Sequence, residues 1–303
     1  MNTPNLFFIG HPRSGTGTLD GYLAAHPGIY MAAKELHYFG SDLQFNVPAR
    51  TKENYMSYFT EANGYQYVGE SSTWYLCSHT AAAEIKHFSP DAKIIVNLRN
   101  PVDWLYSLHS HMVYAAYEDV TDFEQALNLE EQRSKGLSIP KNAFPKIGVQ
   151  YKQLVQYTTQ IQRYIDVFGE DQVLINIFDD LKQNPAETLD KNLHFLGLPT
   201  TFPNKQTILQ GSKRKRNANH AHRSKRLHHW IKSPPRRSIF HGVIPAPFAG
   251  ARLGLRVLHK INTKTTQRTQ MNSELRKKLA KEFVTEIEKL EELLNRDLTI
   301  WKN

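Results

Sequence analysis

The residues best suited to chemistry lie near the start of the chain, in the segment LFFIGHPRSGTGTL, where an apolar run ends at a glycine-rich loop. Gly10 and Gly15 have the separation typical of a nucleotide-kinase phosphate loop, but Thr16 stands where such a loop needs lysine. A glycine-rich turn into a helix presents backbone N–H groups, and Arg13 adds forked positive donors suited to phosphate oxygens. The segment therefore predicts an anion site, with an ordinary strand–turn–helix corner as the alternative. Its other candidate ligands are Ser14, Gly17 and Thr18.

A second candidate anion site follows the most apolar predicted strand, in the segment LRNPVDWLYSLHSH. Arg99 leaves the end of that strand, and Ser107 lies eight residues further along. Asn100 and Pro101 predict that a helix begins between them, so that Ser107 falls two turns into the helix. The alternative is a surface ion pair for Arg99 and a hydroxyl bonded to its own helix backbone for Ser107.

The elements that must position these residues alternate between strands and helices. Apolar runs predict strands at 6–9, 67–70, 93–98 and 172–178. Helical spacing predicts helices at 16–25, 80–88, 101–115, 150–168, 185–196 and 273–294, the last capped by Ser273. This alternation indicates an α/β protein with a central parallel sheet flanked by helices. Ligands of such sheets bind at the carboxyl ends of the strands, where both candidate segments lie.

The charge of the chain is unevenly distributed. Its 303 residues carry a net charge of +9, yet 191–273 contains no Asp or Glu and 17 of the 38 Lys and Arg. The remaining residues carry 21 basic against 29 acidic side chains. We therefore expect one domain spanning 1–303, with a basic insertion at about 205–272 that meets an anionic partner.

Other features narrow the setting. Cys77 is the single cysteine, so an internal disulfide framework is excluded. No apolar run approaches the ~18 residues of a membrane span, and the apolar start is too short for a signal peptide. We expect a cytoplasmic protein, and His spacings such as that of His109 and His111 do not predict a metal site.

The two segments together resemble the paired signatures of sulfotransferases that use 3′-phosphoadenosine 5′-phosphosulfate (PAPS). HPGIYMAAKELHYF, GESSTWYL and the ending LEELLNRDLTIW are similar to further segments of the carbohydrate-type and bacterial members. The resemblance implies a P-loop-like sulfotransferase fold, PAPS as donor, no metal, and a bacterial source. Departures include Arg13 in place of lysine, and Ser71 where some heparan-type members carry lysine.

The resemblance also implies roles for individual residues. The first loop, from Arg13 to Thr18, would hold the 5′-phosphosulfate, and Arg99 with Ser107 would hold the 3′-phosphate. Lys213 and Arg214 in LQGSKRKRN stand where the family's last contact to the 3′-phosphate is expected, although this match is loose.

The resemblance places a general base in KELHYF. Glu35 is the first choice and His37 the alternative, with Arg13 offsetting charge on the leaving phosphate. The Lys34 side chain either assists the transfer reaction or points to water. Glu70 either orients the acceptor or caps a helix.

The expected activity is sulfuryl transfer to a hydroxyl of a saccharide, glycolipid or natural product. The acceptor could be anionic or membrane-associated, and 240–261, with Phe248 among its arginines, suits a peripheral membrane contact. Two other classes stay open: a nucleotide kinase with a degenerate loop, and a nucleic-acid-binding protein that uses 205–272.

Overall fold

The computed structural model describes residues 3–45, 51–211, 219–222, 263–266 and 270–302, with the two four-residue pieces described by their backbone alone. Lys213, Arg214 and the segment 240–261 lie outside the described residues, as does most of the basic insertion. Among the helices of the described part, none is both long and apolar enough to cross a membrane.

The centre of the fold is a parallel sheet. Its strands are β1 (Leu6–Gly10), β2 (Ile29–Met31), β3 (Tyr67–Ser71), β4 (Lys93–Leu98) and β5 (Val173–Ile177). The spatial order is β2-β3-β1-β4-β5, so β1 lies in the middle with β3 on one side and β4 on the other. The predicted α/β architecture is confirmed. Away from the sheet, β6 (Asn219–His222) and β7 (Thr263–Thr266) form an antiparallel pair.

Helices connect the strands and cover both faces of the sheet. They are α1 (Thr16–Leu23), α2 (Lys52–Met56), α3 (Ala81–Phe88), α4 (Pro101–Tyr114), α5 (Phe123–Asn128), α6 (Glu130–Ser134), α7 (Tyr157–Phe168), α8 (Phe178–Gln183), α9 (Pro185–Phe195), α10 (Lys205–Gly211), α11 (Ser273–Glu282) and α12 (Val284–Leu294). One apolar core joins α3, α4, α7 and the C-terminal helices, and the other joins α1 and α9. Alternate residues of β1 supply the two cores, Phe7 to the first and Phe8 to the second.

Several predicted elements differ from those observed. The long helix predicted at 150–168 begins only at Tyr157, after short 3-10 turns. The strand predicted at 172–178 ends at Ile177, and Asp179 and Asp180 lie in the first turn of α8, where acidic side chains favour the positive end of the helix. The predicted final helix is broken at Phe283, and its N-cap is Asn272 rather than Ser273. The Asn272 side chain accepts hydrogen bonds from the second and third residues of α11.

A buried ion pair organises the segment between α4 and α7. The guanidinium of Arg133 donates to both carboxylate oxygens of Glu118 at 2.8 Å, and both side chains are fully buried. Tyr151 donates to the same carboxylate at 2.9 Å, while Arg133 also reaches the Val149 carbonyl at 2.9 Å. These bonds join distant parts of the segment 117–151. They also pair two charges whose burial alone would be unfavourable.

Candidate anion-binding site

The first loop needs glycine at two positions for steric reasons. Gly15 ends the loop with a φ of 80°, and a Cβ there would lie 2.8 Å from the ring of Phe178. A Cβ at Gly10 would lie 2.6 Å from the Cβ of Leu76. Arg13 also has a positive φ, 65°, which is uncommon for a residue with a side chain. The loop therefore follows a tight path that exposes its main chain at the end of β1.

The donors of this loop lack acceptors. The N–H groups of Gly15, Thr16 and Gly17 make no hydrogen bond to any described residue, and α1 has no side-chain cap. The Ser14 hydroxyl oxygen is buried and equally unpartnered within the described chain. A Cβ at Gly17 would meet no described atom within 4 Å. The first N–H groups of a helix have no partner within it, so these donors and the buried Ser14 hydroxyl together fit an anion at the positive end of α1.

Arg99 contacts the main chain of the first loop, so the two predicted anion-binding segments lie next to each other. A guanidinium N–H of Arg99 donates to the Arg13 carbonyl at 3.4 Å. The pKa of Arg13 is lowered by desolvation and by the like charge of Arg99. Neither arginine forms an ion pair with a carboxylate of the described residues. Positive charge without a carboxylate partner favours an anion at this place, and the alternative of a surface ion pair for Arg99 is not observed among the described residues.

The ring of Phe178, a residue that the sequence analysis did not single out, contacts both segments. The Arg99 guanidinium lies over the Phe178 ring, 4.9 Å from its centroid, and the same ring closes off Gly15. Asp179 accepts a hydrogen bond from the Trp301 indole at 2.9 Å, and Asp180 is paired with Arg296. The C-terminal residues thus brace the helix that carries Phe178. The sequence signal near Phe178 was the pair of acidic residues, Asp179 and Asp180, between the strand predicted at 172–178 and the helix predicted at 185–196.

Ser107 lies on α4 and is buried. Its hydroxyl makes no hydrogen bond to any described residue, so the alternative of a bond to its own helix is wrong. It follows Trp104 by three residues, which puts both on the same side of α4. Trp104 donates its indole N–H to the Pro12 carbonyl at 2.7 Å, so this side of α4 faces the first loop.

His11 is a second residue of the loop whose role the sequence did not reveal. Its ring is fully buried between Trp104 and Tyr157, and its Nε2 lies 2.8 Å from the Gln160 side-chain oxygen. Burial lowers the pKa of His11 to about 3, so the ring is neutral at neutral pH. It therefore supports the loop by packing and by one hydrogen bond.

Glu35 and His37 form a contact pair beside this site. Glu35 Oε2 lies 3.2 Å from His37 Nε2, and Glu35 Oε1 accepts a hydrogen bond from the Thr73 hydroxyl at 2.9 Å. Burial raises the pKa of Glu35, but His37, Thr73 and Lys34 outweigh it and the net pKa is lowered. The Glu35 side chain is 29% exposed, whereas His37 is buried and stacked on Phe45. Glu35 therefore favours its ionised form and is the more accessible member of the pair.

Two neighbouring expectations are corrected by the structure. Lys34 does not simply point to water, because its ammonium lies 3.1 Å from Asp20 on α1. Glu70 neither caps a helix nor reaches an acceptor, because it lies within β3 and is fully buried. In the described part of the chain, no three His, Cys, Asp or Glu side chains cluster closely enough to hold one metal ion.

A parallel sheet with an anion cradle at the carboxyl end of its central strand defines a P-loop-like α/β protein. The chain belongs to the Sulfotransferase domain family, whose model matches residues 3–240, so this part of it is a sulfotransferase domain. A crystal structure of a sulfotransferase from Alicyclobacillus acidocaldarius superposes with a TM-score of 0.69, at 26% identity and with 100% of each chain covered. The predicted family and enzyme class are thereby confirmed.

Curated relatives match a smaller region. The human bifunctional heparan sulfate N-deacetylase/N-sulfotransferase 2 is 27% identical over 209 residues, covering 66% of this chain and 22% of that protein. The mouse bifunctional heparan sulfate N-deacetylase/N-sulfotransferase 1 is 26% identical over 212 residues, covering 68% and 23%. The chain thus spans less than a quarter of the length of these relatives.

Proposed function

We propose that this sulfotransferase moves a sulfuryl group from PAPS to a hydroxyl of a saccharide, glycolipid or natural product. The observation that carries the choice of donor is the cradle of N–H groups from Gly15 to Gly17, adjoined by two arginines, none of which has an acceptor or an ion-pair partner among the described residues. A donor with phosphates at two ends fits two adjacent basic segments. The names of the curated relatives support a saccharide acceptor and raise an amine acceptor as the variant to test.

The residues of the chain divide the work as follows. The first loop and Arg13 bind the phosphosulfate end and stabilise negative charge on the leaving phosphate, while Arg99 and Ser107 hold the 3′-phosphate. When bound, PAPS supplies the sulfuryl group. Glu35 takes the proton of the attacking hydroxyl, because it is ionised, partly exposed and hydrogen-bonded on its other oxygen. His37 orients that carboxylate and is the alternative base.

The donor site is tested with 3′-phosphoadenosine 5′-phosphate, the product of transfer, by calorimetry without magnesium. We expect binding, and we expect Arg99→Ala to weaken it about 10- to 100-fold, since charge-assisted hydrogen bonds contribute about 1.5–3 kcal/mol. Lys135→Ala is the control, because Lys135 pairs with Glu131 on an exposed helix face. Binding of ATP that needs magnesium, with no affinity for this nucleotide, would instead indicate a kinase.

Transfer is tested with radiolabelled PAPS against hydroxyl- and amine-bearing saccharides, glycolipids and phenols. We expect Glu35→Gln to lower kcat about 100-fold or more while nucleotide affinity stays unchanged. His37→Gln should have a smaller effect. If His37→Gln abolished transfer and Glu35→Gln did not, the base would be His37. If the protein bound nucleic acid with an affinity that did not change on replacing Arg13 or Arg99, this would favour a nucleic-acid-binding protein.

The domain organisation remains a proposal as well. We infer one sulfotransferase domain over 1–303, with the basic insertion at about 205–272 serving the acceptor or an acidic surface. Limited proteolysis with mass spectrometry checks this, because a separate domain would yield a second stable fragment from within the insertion.

A further inference from the structure

The loop that carries Glu35 and His37 has few backbone partners for its own N–H groups. Side chains from β3 and the residues after it supply the acceptors instead. The Ser72 hydroxyl accepts from the N–H groups of Leu36 and His37, at 3.1 and 3.0 Å. The Tyr75 hydroxyl accepts from Phe39 at 3.2 Å. The conformation of the loop is therefore set by hydroxyl groups outside it, since buried N–H groups must find acceptors.

The Ser72 hydroxyl is fully used. A serine hydroxyl has one proton to donate and two lone pairs to accept with. Both lone pairs face the loop N–H groups, and the proton is donated to Glu70 Oε2 at 3.1 Å. Glu70 therefore fixes the direction of the Ser72 hydroxyl. With the proton held by Glu70, the oxygen can only turn its lone pairs toward the peptide groups of Leu36 and His37.

The Ser72 hydroxyl contacts the backbone between the two members of the proposed catalytic pair, Glu35 and His37. Leu36 stands between Glu35 and His37, and the His37 backbone has a φ of 50°, which needs outside support in a residue with a side chain. Thr73, the residue after Ser72, donates to Glu35 directly. The hydroxyls of two consecutive residues thus hold the Glu35–His37 pair. Ser72 contacts the backbone of the loop, and Thr73 contacts the carboxylate of Glu35.

We propose that Glu70 and Ser72 form a positioning pair that orients the backbone between Glu35 and His37 for proton transfer. The inference rests on the proposed function, because it assigns the pair a role in that reaction. Glu70 is fully buried and Ser72 has no exposed surface, so neither touches the substrates. Their effect passes through the loop, where displacement of a reacting group by about 1 Å can lower a rate about 100-fold.

The test compares kcat and KM for PAPS-dependent transfer in Ser72→Ala, Glu70→Gln and Glu70→Leu. We expect Ser72→Ala to lower kcat at least about tenfold, with KM for both substrates and nucleotide affinity changed by less than about threefold. Glu70→Gln keeps an oxygen that can accept from Ser72, so its kcat should remain close to that of the wild type. Glu70→Leu removes the acceptor and should resemble Ser72→Ala.

Thr188→Val is the matched control. Thr188 carries a buried hydroxyl that donates to the carbonyl of Asn184, the N-cap of α9, and it has no hydrogen bond to the loop of Glu35, so kcat should not change. Nucleotide binding shows which variants are folded. If Ser72→Ala is not folded, the comparison of Glu70→Gln with Glu70→Leu tests the proposal by itself.

Two results would overturn the inference. One is a Ser72→Ala enzyme with kcat within about twofold of the wild type. The other is Glu70→Gln as inactive as Glu70→Leu, which would mean that the charge of Glu70 is required rather than its acceptor oxygen. A wild-type protein that neither binds the nucleotide nor transfers sulfate would refute the proposed function itself, which is a separate outcome.

Discussion

Glu70 makes folding stability depend on pH in a way that a single substitution should reveal. Its carboxyl group belongs to β3, next to the central strand, and has no exposed surface. Burial, opposed in part by the nearby hydroxyl groups of Tyr75 and Ser72, raises the pKa of Glu70 from 4.5 to about 7. The folded protein therefore binds this proton more tightly than the unfolded chain does.

The sign and the size follow from that difference. Because the folded state holds the extra proton between pH 4.5 and 7, the free energy of unfolding falls as the pH rises through this interval. Each tenfold change in proton affinity is worth about 1.4 kcal/mol, so the full effect above pH 7 is about 3 kcal/mol. Glu70→Gln removes the ionisation and keeps the shape. Its stability relative to the wild type should increase by about 3 kcal/mol between pH 4.5 and pH 8.

Urea unfolding followed by tryptophan fluorescence suits the measurement, because Trp74, Trp104 and Trp301 are all buried. Titrations at pH 4.5, 5.5, 6.5, 7.5 and 8 and constant ionic strength give the difference curve. Glu124→Gln, which removes an exposed carboxylate, controls for the change in net charge. A difference between Glu70→Gln and wild type that stayed constant across this range would refute the reasoning, since the new amide alone can only shift the curve.

Three further predictions address the loop and the core. Gly15→Ala should abolish nucleotide binding in calorimetry, because its Cβ would collide with Phe178 at a positive φ; binding within about threefold of wild type would contradict this. Arg133→Met should destabilise the protein by about 3–5 kcal/mol in urea unfolding, because it leaves the Glu118 carboxylate buried without its partner, and a loss below about 1 kcal/mol would show that the pair is dispensable. At acid pH, the lowered pKa of His11 predicts stability that is complete above about pH 6.5 and falls as the pH drops toward 3; His11→Gln should reduce this dependence, and an unchanged slope would exclude His11 as its source.

Local patterns were sufficient for the elements that carry the site. The apolar run of β4 and the Asn-Pro start of α4 are read correctly from the sequence, because burial on both faces and helix capping depend on neighbouring residues. The spacing of Gly10, Arg13 and Gly15 likewise predicts an anion loop. The predicted start of a helix was wrong where the local signal was weak. The helix predicted from 150 begins only at Tyr157, because Gln150 and Tyr151 make tertiary hydrogen bonds in a stretch of 3-10 turns.

The sequence by itself determined which residues could bind an anion and which strand ends would carry them, because these follow from side-chain chemistry and short-range periodicity. Only the tertiary structure decided their partners: Phe178 beneath Arg99, Gln160 beside His11, and Glu70 with Ser72 behind the loop of Glu35. These contacts join segments far apart in the chain, or depend on burial that no local pattern encodes. Hydrogen bonding and the pKa of a buried group depend on what surrounds it in space, so the working geometry of the site appears only after folding.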